Sequence, residues 1–372
     1  MNRPLAAKLM ARIRQDVQSM HAYAVQDSAG MVKLDAMENP HTLPPDLQAE
    51  LGRRLGALAL NRYPDARVND LRRALADYAQ MPAGFDLMLG NGSDELISLL
   101  AMACDVPGAS ILAPVPGFVM YAMSAQLQGL QFIGVPLTAD FELDLPAMLQ
   151  AIAANKPSIT YLAYPNNPTA NLWDAQVMRR LIAQVGAYGG LVVVDEAYQP
   201  FSSGTWLDEI RRDPTAHAHV LLMRTLSKFG LAGVRLGYML APQALLHEVD
   251  KLRPPYNISV LNAECALFAL AHADTFAEQA ATIRAERARL IQGLLAISGA
   301  TPFPSDANMV LVRWAGGDAQ AQAVFEGLKA RKVLVKNVSK MHPLLSACLR
   351  LTVGTPAENT LLLDALRDLA SA

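Results

Sequence analysis

The chain has 372 residues, 52% of them hydrophobic and 18% charged, which is long enough for two or three domains of roughly 150 residues and excludes a disordered or fibrous polymer. Its 32 basic and 34 acidic residues leave a net charge of −2, and the doublets Arg53-Arg54, Arg72-Arg73 and Arg211-Arg212 are scattered rather than stacked into a stripe, so neither nucleic acid nor an anionic membrane is an expected partner. Three distant cysteines without CxxC spacing, a basic N-terminus with no apolar core behind it, and no apolar run of ~18 residues predict a protein without disulfides, signal peptide or membrane span, at home in the cytoplasm.

Taken in chain order, residues 1–45 are too few to fold alone and are expected to pack on one of the domains formed by the rest of the chain. Residues 46–255 alternate short β-runs with amphipathic helices, the pattern of a parallel sheet covered on both faces, and so an α/β fold. The β-runs are 110–113, 131–135, 158–163, 191–194 and 220–223, several of them apolar without alternation, as strands buried on both faces must be. Between them Leu96, Ile97, Leu100 and Ala103 recur at helical spacing behind the turn Gly90-Asn91-Gly92-Ser93, which puts Ser93 or Asp94 at a helix N-terminus. His217 and His219 are spaced to share a strand face, as surface imidazoles. From 256 onward the texture becomes that of a smaller α+β unit. Ile283, Leu290, Ile291, Leu294 and Leu295 share a helical face that Gly299 ends; Val324, Phe325 and Leu328 mark a second helix; 309–314, 333–336 and 348–353 read as strands. Thr355-Pro356-Ala357-Glu358 is a capping box with proline at the first helical position, ahead of Leu361, Leu362, Leu366 and Leu369. The expected division is therefore a large domain, 46–255, and a small one made of 1–45 and 256–372.

In an open parallel sheet, ligands bind beyond the carboxyl ends of the strands. Here those ends are polar: Tyr164-Pro165-Asn166-Asn167 after one run, Asp195-Glu196-Ala197-Tyr198 after the next, Arg224-Thr225-Leu226-Ser227-Lys228 after the third. A lysine with one carboxylate, a phenol and hydroxyls makes no nucleophilic triad, and the set is too poor in carboxylates and imidazoles to hold a metal. Gly90-Asn91-Gly92 starts like a dinucleotide fingerprint, but Glu95 stands where the third glycine belongs, which disfavours a nicotinamide site. What the set suits is an aromatic cofactor with a phosphate, a ring nitrogen to be protonated and an aldehyde to be trapped by an amine. Pyridoxal 5′-phosphate has all three.

Along nearly its whole length the chain resembles the fold-type I pyridoxal-phosphate aminotransferases of class I/II. The likeness is carried by Lys33-Leu34-Asp35-Ala36-Met37-Glu38-Asn39-Pro40, Asn61-Arg62-Tyr63-Pro64-Asp65, the three strand-end motifs above and Leu349-Arg350-Leu351-Thr352-Val353-Gly354. The resemblance implies a mostly parallel seven-stranded sheet flanked by helices, a smaller α+β domain and a homodimer. It implies Lys228 as the lysine that binds the cofactor as an imine and later moves the substrate proton, and Asp195 as the partner of the ring nitrogen. Asn167 and Tyr198 would hydrogen-bond the ring's phenolic oxygen, and Phe118 would stack on the ring where many relatives have tyrosine. The phosphate would take the helix N-terminus at Gly92, Ser93 and Asp94, with Thr225, Ser227 and Arg235, and with Tyr63 of the other subunit. Lys228 and Arg235 are seven residues apart, where relatives often have eight. Tyr23, Asn39, Lys336 and Arg350 match substrate-binding positions; Lys336 stands where relatives tend to have arginine, keeping the charge and losing the bidentate fork.

Within the family the likeness is greatest to members that move the amino group of L-histidinol phosphate to 2-oxoglutarate, giving glutamate, in histidine biosynthesis. Alternative substrates on the same fold are aromatic amino acids, or threonine phosphate in a decarboxylation. A transcription regulator with a sensor domain of this kind would need a basic helix-turn-helix, which residues 1–45 do not contain. A catalytically silent relative would lack the lysine.

Overall fold

The computed structural model describes residues 8–20, 26–64 and 67–371. Its main sheet has seven strands: β2 (Phe85–Gly90), β3 (Ser110–Val115), β4 (Gln131–Pro136), β5 (Ile159–Ala163), β6 (Leu191–Asp195), β7 (Val220–Thr225) and β8 (Gly237–Pro242), after a two-residue β1 (Val32–Lys33) outside it. The spatial order is β2-β8-β7-β6-β5-β3-β4, with β8 antiparallel to both neighbours and the remaining pairs parallel.

The unalternating sequence of the central strands has its reason in two cores. Val192 and Val194 of β6 and Val220 and Leu222 of β7 face one core; Val193, Leu221 and Met223 between them face the other. Both faces are apolar because both are covered, each such side chain contributing about 1.5–3 kcal/mol through burial. The five predicted β-runs are five of the seven strands. β2 and β8 fall outside that reading: Asp86 interrupts the apolar run of β2, its carboxylate taking a hydrogen bond from Arg72 at 2.9 Å, and β8 follows the loop after Lys228. His217 and His219 lie in the turn before β7 rather than on a strand, and a ring nitrogen of each meets a backbone carbonyl, of Asp213 and Ile182.

The second sheet is antiparallel and has four strands, in the order β12 (Lys336–Asn337), β13 (Cys348–Thr352), β10 (Met309–Trp314), β9 (Ala300–Pro302). It packs on the helices Ala273–Leu295, Gly317–Ala330 and Pro356–Ser371 around Ile283, Leu290, Leu294, Leu328, Leu351 and Leu362. The expected strand over 333–336 is two strands. β11 (Val333–Leu334) pairs in parallel with β1, and at Val335 the chain crosses to pair Lys336 with Arg350. Leu295 is not on the buried face: it is the last residue of its helix and 60% exposed, and the helix ends before Gly299 is reached. Leu361 is exposed likewise. The capping box forms as read, Thr355 N–H donating to Glu358 Oε2 at 2.8 Å and Glu358 N–H to Thr355 Oγ1 at 3.3 Å. Helix Val260–Ala271, beyond residue 255, shares a core with Leu71 and Leu75 of the helix Arg67–Ala79.

Candidate active site

The carboxyl ends of β5, β6 and β7 open into a cavity of about 400 Å³. Ser93, Asp94, Phe118, Asn167, Asp195, Tyr198, Thr225, Ser227, Lys228 and Arg235 all line it. Residues more than 140 positions apart converge because most stand at or just past the carboxyl end of a strand, where the chain leaves the sheet, while Arg235 stands just before β8.

Lys228 sits in a single π-helical turn, Ser227–Leu231, that follows β7 after Leu226, and its Nζ donates to the Ala36 carbonyl at 3.2 Å. It lies 5.7 Å from the centre of the Tyr198 ring. Burial, reinforced by the guanidinium of Arg350, pulls its ammonium pKa down to about 8. Asp195 closes β6. Burial pushes its carboxyl up to about 6, against hydrogen bonds from the Tyr121 hydroxyl (2.6 Å) and the Ala197 N–H (3.0 Å).

The helix Ser93–Ala103 begins at Gly92, whose φ of 81° is left-handed and suits glycine. A Cβ there would stand 2.8 Å from Arg235 Nη2, and one on Gly237 would stand 2.8 Å from the Ser93 nitrogen. The bare Gly92 lets Arg235, itself left-handed at φ 57°, lie against the start of the helix, and the bare Gly237 lets β8 pack against the same turn. Arg235 Nη2 donates to Asp94 Oδ2 at 3.3 Å; Thr225 Oγ1 accepts from the Ser227 N–H at 3.1 Å. Two strand ends are tied behind the cavity by a buried ion pair, in which Glu196 Oε2 accepts from Arg224 Nε (2.9 Å) and Nη2 (2.8 Å) while Thr205 Oγ1 donates to Glu196 Oε1 (2.8 Å).

The remaining expected residues are not among those that line this cavity. Arg350 is buried on β13, donating from Nη1 to Asn167 Oδ1 at 2.8 Å and from Nη2 to the Asp35 carbonyl at 2.7 Å, and so joins the second sheet to the strand ends of the first. Asn39 donates to the Phe229 carbonyl (3.3 Å) and to Gln279 Oε1 (3.0 Å) and does not line the cavity. Neither does Lys336, which is half-buried on β12. Tyr63 is 77% exposed, stacks on Tyr256 with ring centres 4.6 Å apart and does not line the cavity of its own chain. Tyr23 lies outside the described residues.

Sequence reasoning missed Tyr121, and also Ala36, Met37 and Glu38, which form one wall. Tyr121 stands three residues after Phe118 on the same turn, which was the available signal. For Glu38, which pairs with Lys33, composition offers none.

An open α/β sheet that delivers a buried lysine, a buried acid and a glycine-started helix to one cavity defines the fold-type I class of enzymes. A model of the family described as aminotransferase class I and II matches residues 29–366, and the chain belongs to that family. It is 71% identical to a histidinol-phosphate aminotransferase of Polaromonas naphthalenivorans (strain CJ2), over 97% of either chain. To another of that name from Methylibium petroleiphilum it is 67% identical, over 99% of this chain and 97% of the relative. Among solved structures it resembles the histidinol-phosphate aminotransferase of Sinorhizobium meliloti in complex with pyridoxal-5′-phosphate, with a TM-score of 0.82 and 26% identity over 97% of this chain and 98% of that one.

Proposed function

We propose that the chain is a pyridoxal-phosphate-dependent aminotransferase that moves the amino group of L-histidinol phosphate to 2-oxoglutarate, giving imidazole acetol phosphate and glutamate, in the histidine pathway of the cytoplasm. The observation that carries the reading is the Lys228 amine, stripped of water and poised near neutrality, in one cavity with the Asp195 carboxyl.

The residues present fit the cofactor. Asp195 is a buried carboxyl whose described donors are a phenol and one N–H, leaving capacity for a ring N–H. The first turn of the helix that begins at Gly92 has backbone N–H groups free for a phosphate, with the Arg235 guanidinium packed against Gly92 beside them. When bound, pyridoxal 5′-phosphate supplies an aldehyde carbon that accepts the amino group and a protonated ring that takes up the electrons released as the donor's Cα–H bond breaks.

Lys228 acts as the base that removes the Cα proton and returns it to the other side of the transfer; its lowered pKa keeps a fraction of amine ready at neutral pH. Asp195 holds the ring-nitrogen proton. Asn167 and Tyr198 hold the ring's phenolic oxygen, and Phe118 covers a ring face. Ser93, Asp94, Thr225, Ser227 and Arg235 surround the phosphate at Gly92, with Tyr63 reaching over from the second subunit of a homodimer. Arg350 binds the donor's anionic end with Asn39, Tyr23 and Lys336 around it. In this reading residues 46–255 form the cofactor-binding domain and 1–45 with 256–372 the small one, except that the helix Val260–Ala271 packs into the core of the larger. Among the described residues no helix is long and apolar enough to cross a membrane, which suits this setting.

Amino transfer to 2-oxoglutarate from L-histidinol phosphate, phenylalanine and threonine phosphate tests the reading. The first is expected to be preferred by at least about tenfold in kcat/KM. Preference for phenylalanine, or release of carbon dioxide from threonine phosphate, contradicts it.

A further inference from the structure

Asp195 is held from two sides. The Tyr121 hydroxyl donates to Oδ2 at 2.6 Å and the Ala197 N–H donates to Oδ1 at 3.0 Å, whereas the ion pairs of that rim, Glu196 with Arg224 and Asp94 with Arg235, leave the carboxylate out. The phenol has little freedom to do anything else. Tyr121 is 2% exposed, its ring stacked on Tyr161 at 4.2 Å and 9° and met edge-on by Phe118 at 5.6 Å. Tyr161 carries a second buried hydroxyl, which finds no hydrogen-bond partner among the described residues.

We infer that Tyr121 is a positioning residue: its hydroxyl fixes the orientation of Asp195 and keeps that side chain a carboxylate, so that a protonated ring nitrogen meets an anion already aimed at it. Two acids face Asp195, Asp94 from the helix Ser93–Ala103 and Glu196 from its own strand end, and both add to burial in favouring the neutral form. The other titratable neighbours, Tyr161 and Tyr198, are phenols whose own burial keeps them uncharged. Among the described residues these are opposed by the hydrogen bonds from Tyr121 and the Ala197 N–H, of which the Tyr121 bond is the stronger influence, while Lys228 and Arg235 are the cations that line the same cavity. This deepens the cofactor reading and rests on it for its consequence, while the hydrogen bond itself is open to test in the cofactor-free protein.

Carbon-13 NMR of cofactor-free protein labelled at aspartate Cγ, with the resonance assigned by its loss in Asp195→Asn, reads the carboxyl directly. Tyr121→Phe keeps the ring and its stacking and removes the hydroxyl alone. The Asp195 midpoint is expected to rise by about one pH unit or more in Tyr121→Phe and to stay in place in Tyr161→Phe. An unmoved midpoint in Tyr121→Phe overturns the inference whether or not the protein binds cofactor. In the loaded protein, Tyr121→Phe weakens retention of pyridoxal 5′-phosphate about tenfold in the wild-type background and has no further effect in Asp195→Asn. Equal weakening in both backgrounds also overturns it. The bond is read from its other partner as well, without altering Tyr121: the downfield proton resonance of its hydroxyl moves upfield in Asp195→Asn, and a resonance that does not move contradicts the inference.

Discussion

Lys228 is a primary amine in a place where ammonium is unwelcome: buried, and facing Arg350 and Arg235. A depressed pKa means that in the folded protein the proton leaves at about 8, while in the unfolded chain it stays until about 10.4. The rate at which cofactor-free protein captures pyridoxal 5′-phosphate is therefore expected to rise as pH increases through about 8 and to level off above it. A rate that keeps climbing to pH 10 and beyond means an ordinary, solvated lysine. The role of Lys228 was legible through the family resemblance and the company of the other strand-end residues; Ser227-Lys228 taken alone reads as an ordinary turn. That its pKa must fall follows from the chemistry, but the cause was not legible: burial first, and then Arg350, 122 positions away, whose guanidinium arrives only when the second sheet docks on the first. Tyr121 shows the same limit. A tyrosine at helical spacing reads as core until the partner of its hydroxyl is known.

The strands that carry the chemistry are joined behind it by Glu196 and Arg224, whose side chains are almost fully buried. Their attraction largely offsets the cost of burying two charges, and either alone is strongly unfavourable. Glu196→Ala is accordingly expected to lower unfolding free energy by about 3–5 kcal/mol in urea titrations of the cofactor-free protein. A change below ~1 kcal/mol means that the pair braces nothing. The elements themselves divide by how much of their pattern is local. β5, β6 and β7 are apolar on both faces and announce themselves; the capping box fixes the start of the last helix through residues three apart. β1, β11 and β12 have two residues each, and whether such a piece is a strand depends on a partner some 300 positions distant for β1 and 14 for Lys336. The end of the helix Ala273–Leu295 was misplaced for a related reason: leucine at 295 fits the spacing of either face, and only packing shows that it points to solvent.

At the scale of the molecule, the proposal makes each active site a joint product of two chains. Tyr63 projects from its own chain, and Leu60, Leu252, Tyr256 and Leu261 are exposed as well. Burial of such residues against a second copy is the ordinary use of an apolar surface. Tyr63→Ala and Lys228→Ala homodimers are both expected to be impaired, the second without measurable turnover. After the two are mixed, unfolded and refolded together, hybrids contain one intact site, built from Lys228 of one chain and Tyr63 of the other, and activity returns. A mixture no more active than its parents contradicts the shared site.

The most direct measurement is the visible absorbance spectrum of the purified protein supplied with pyridoxal 5′-phosphate and then with L-histidinol phosphate. The account predicts a visible band that titrates with cofactor, disappears when L-histidinol phosphate is added without an acceptor, returns with 2-oxoglutarate, and never forms in Lys228→Ala. A protein that stays colourless, or a band formed equally well by Lys228→Ala, contradicts it.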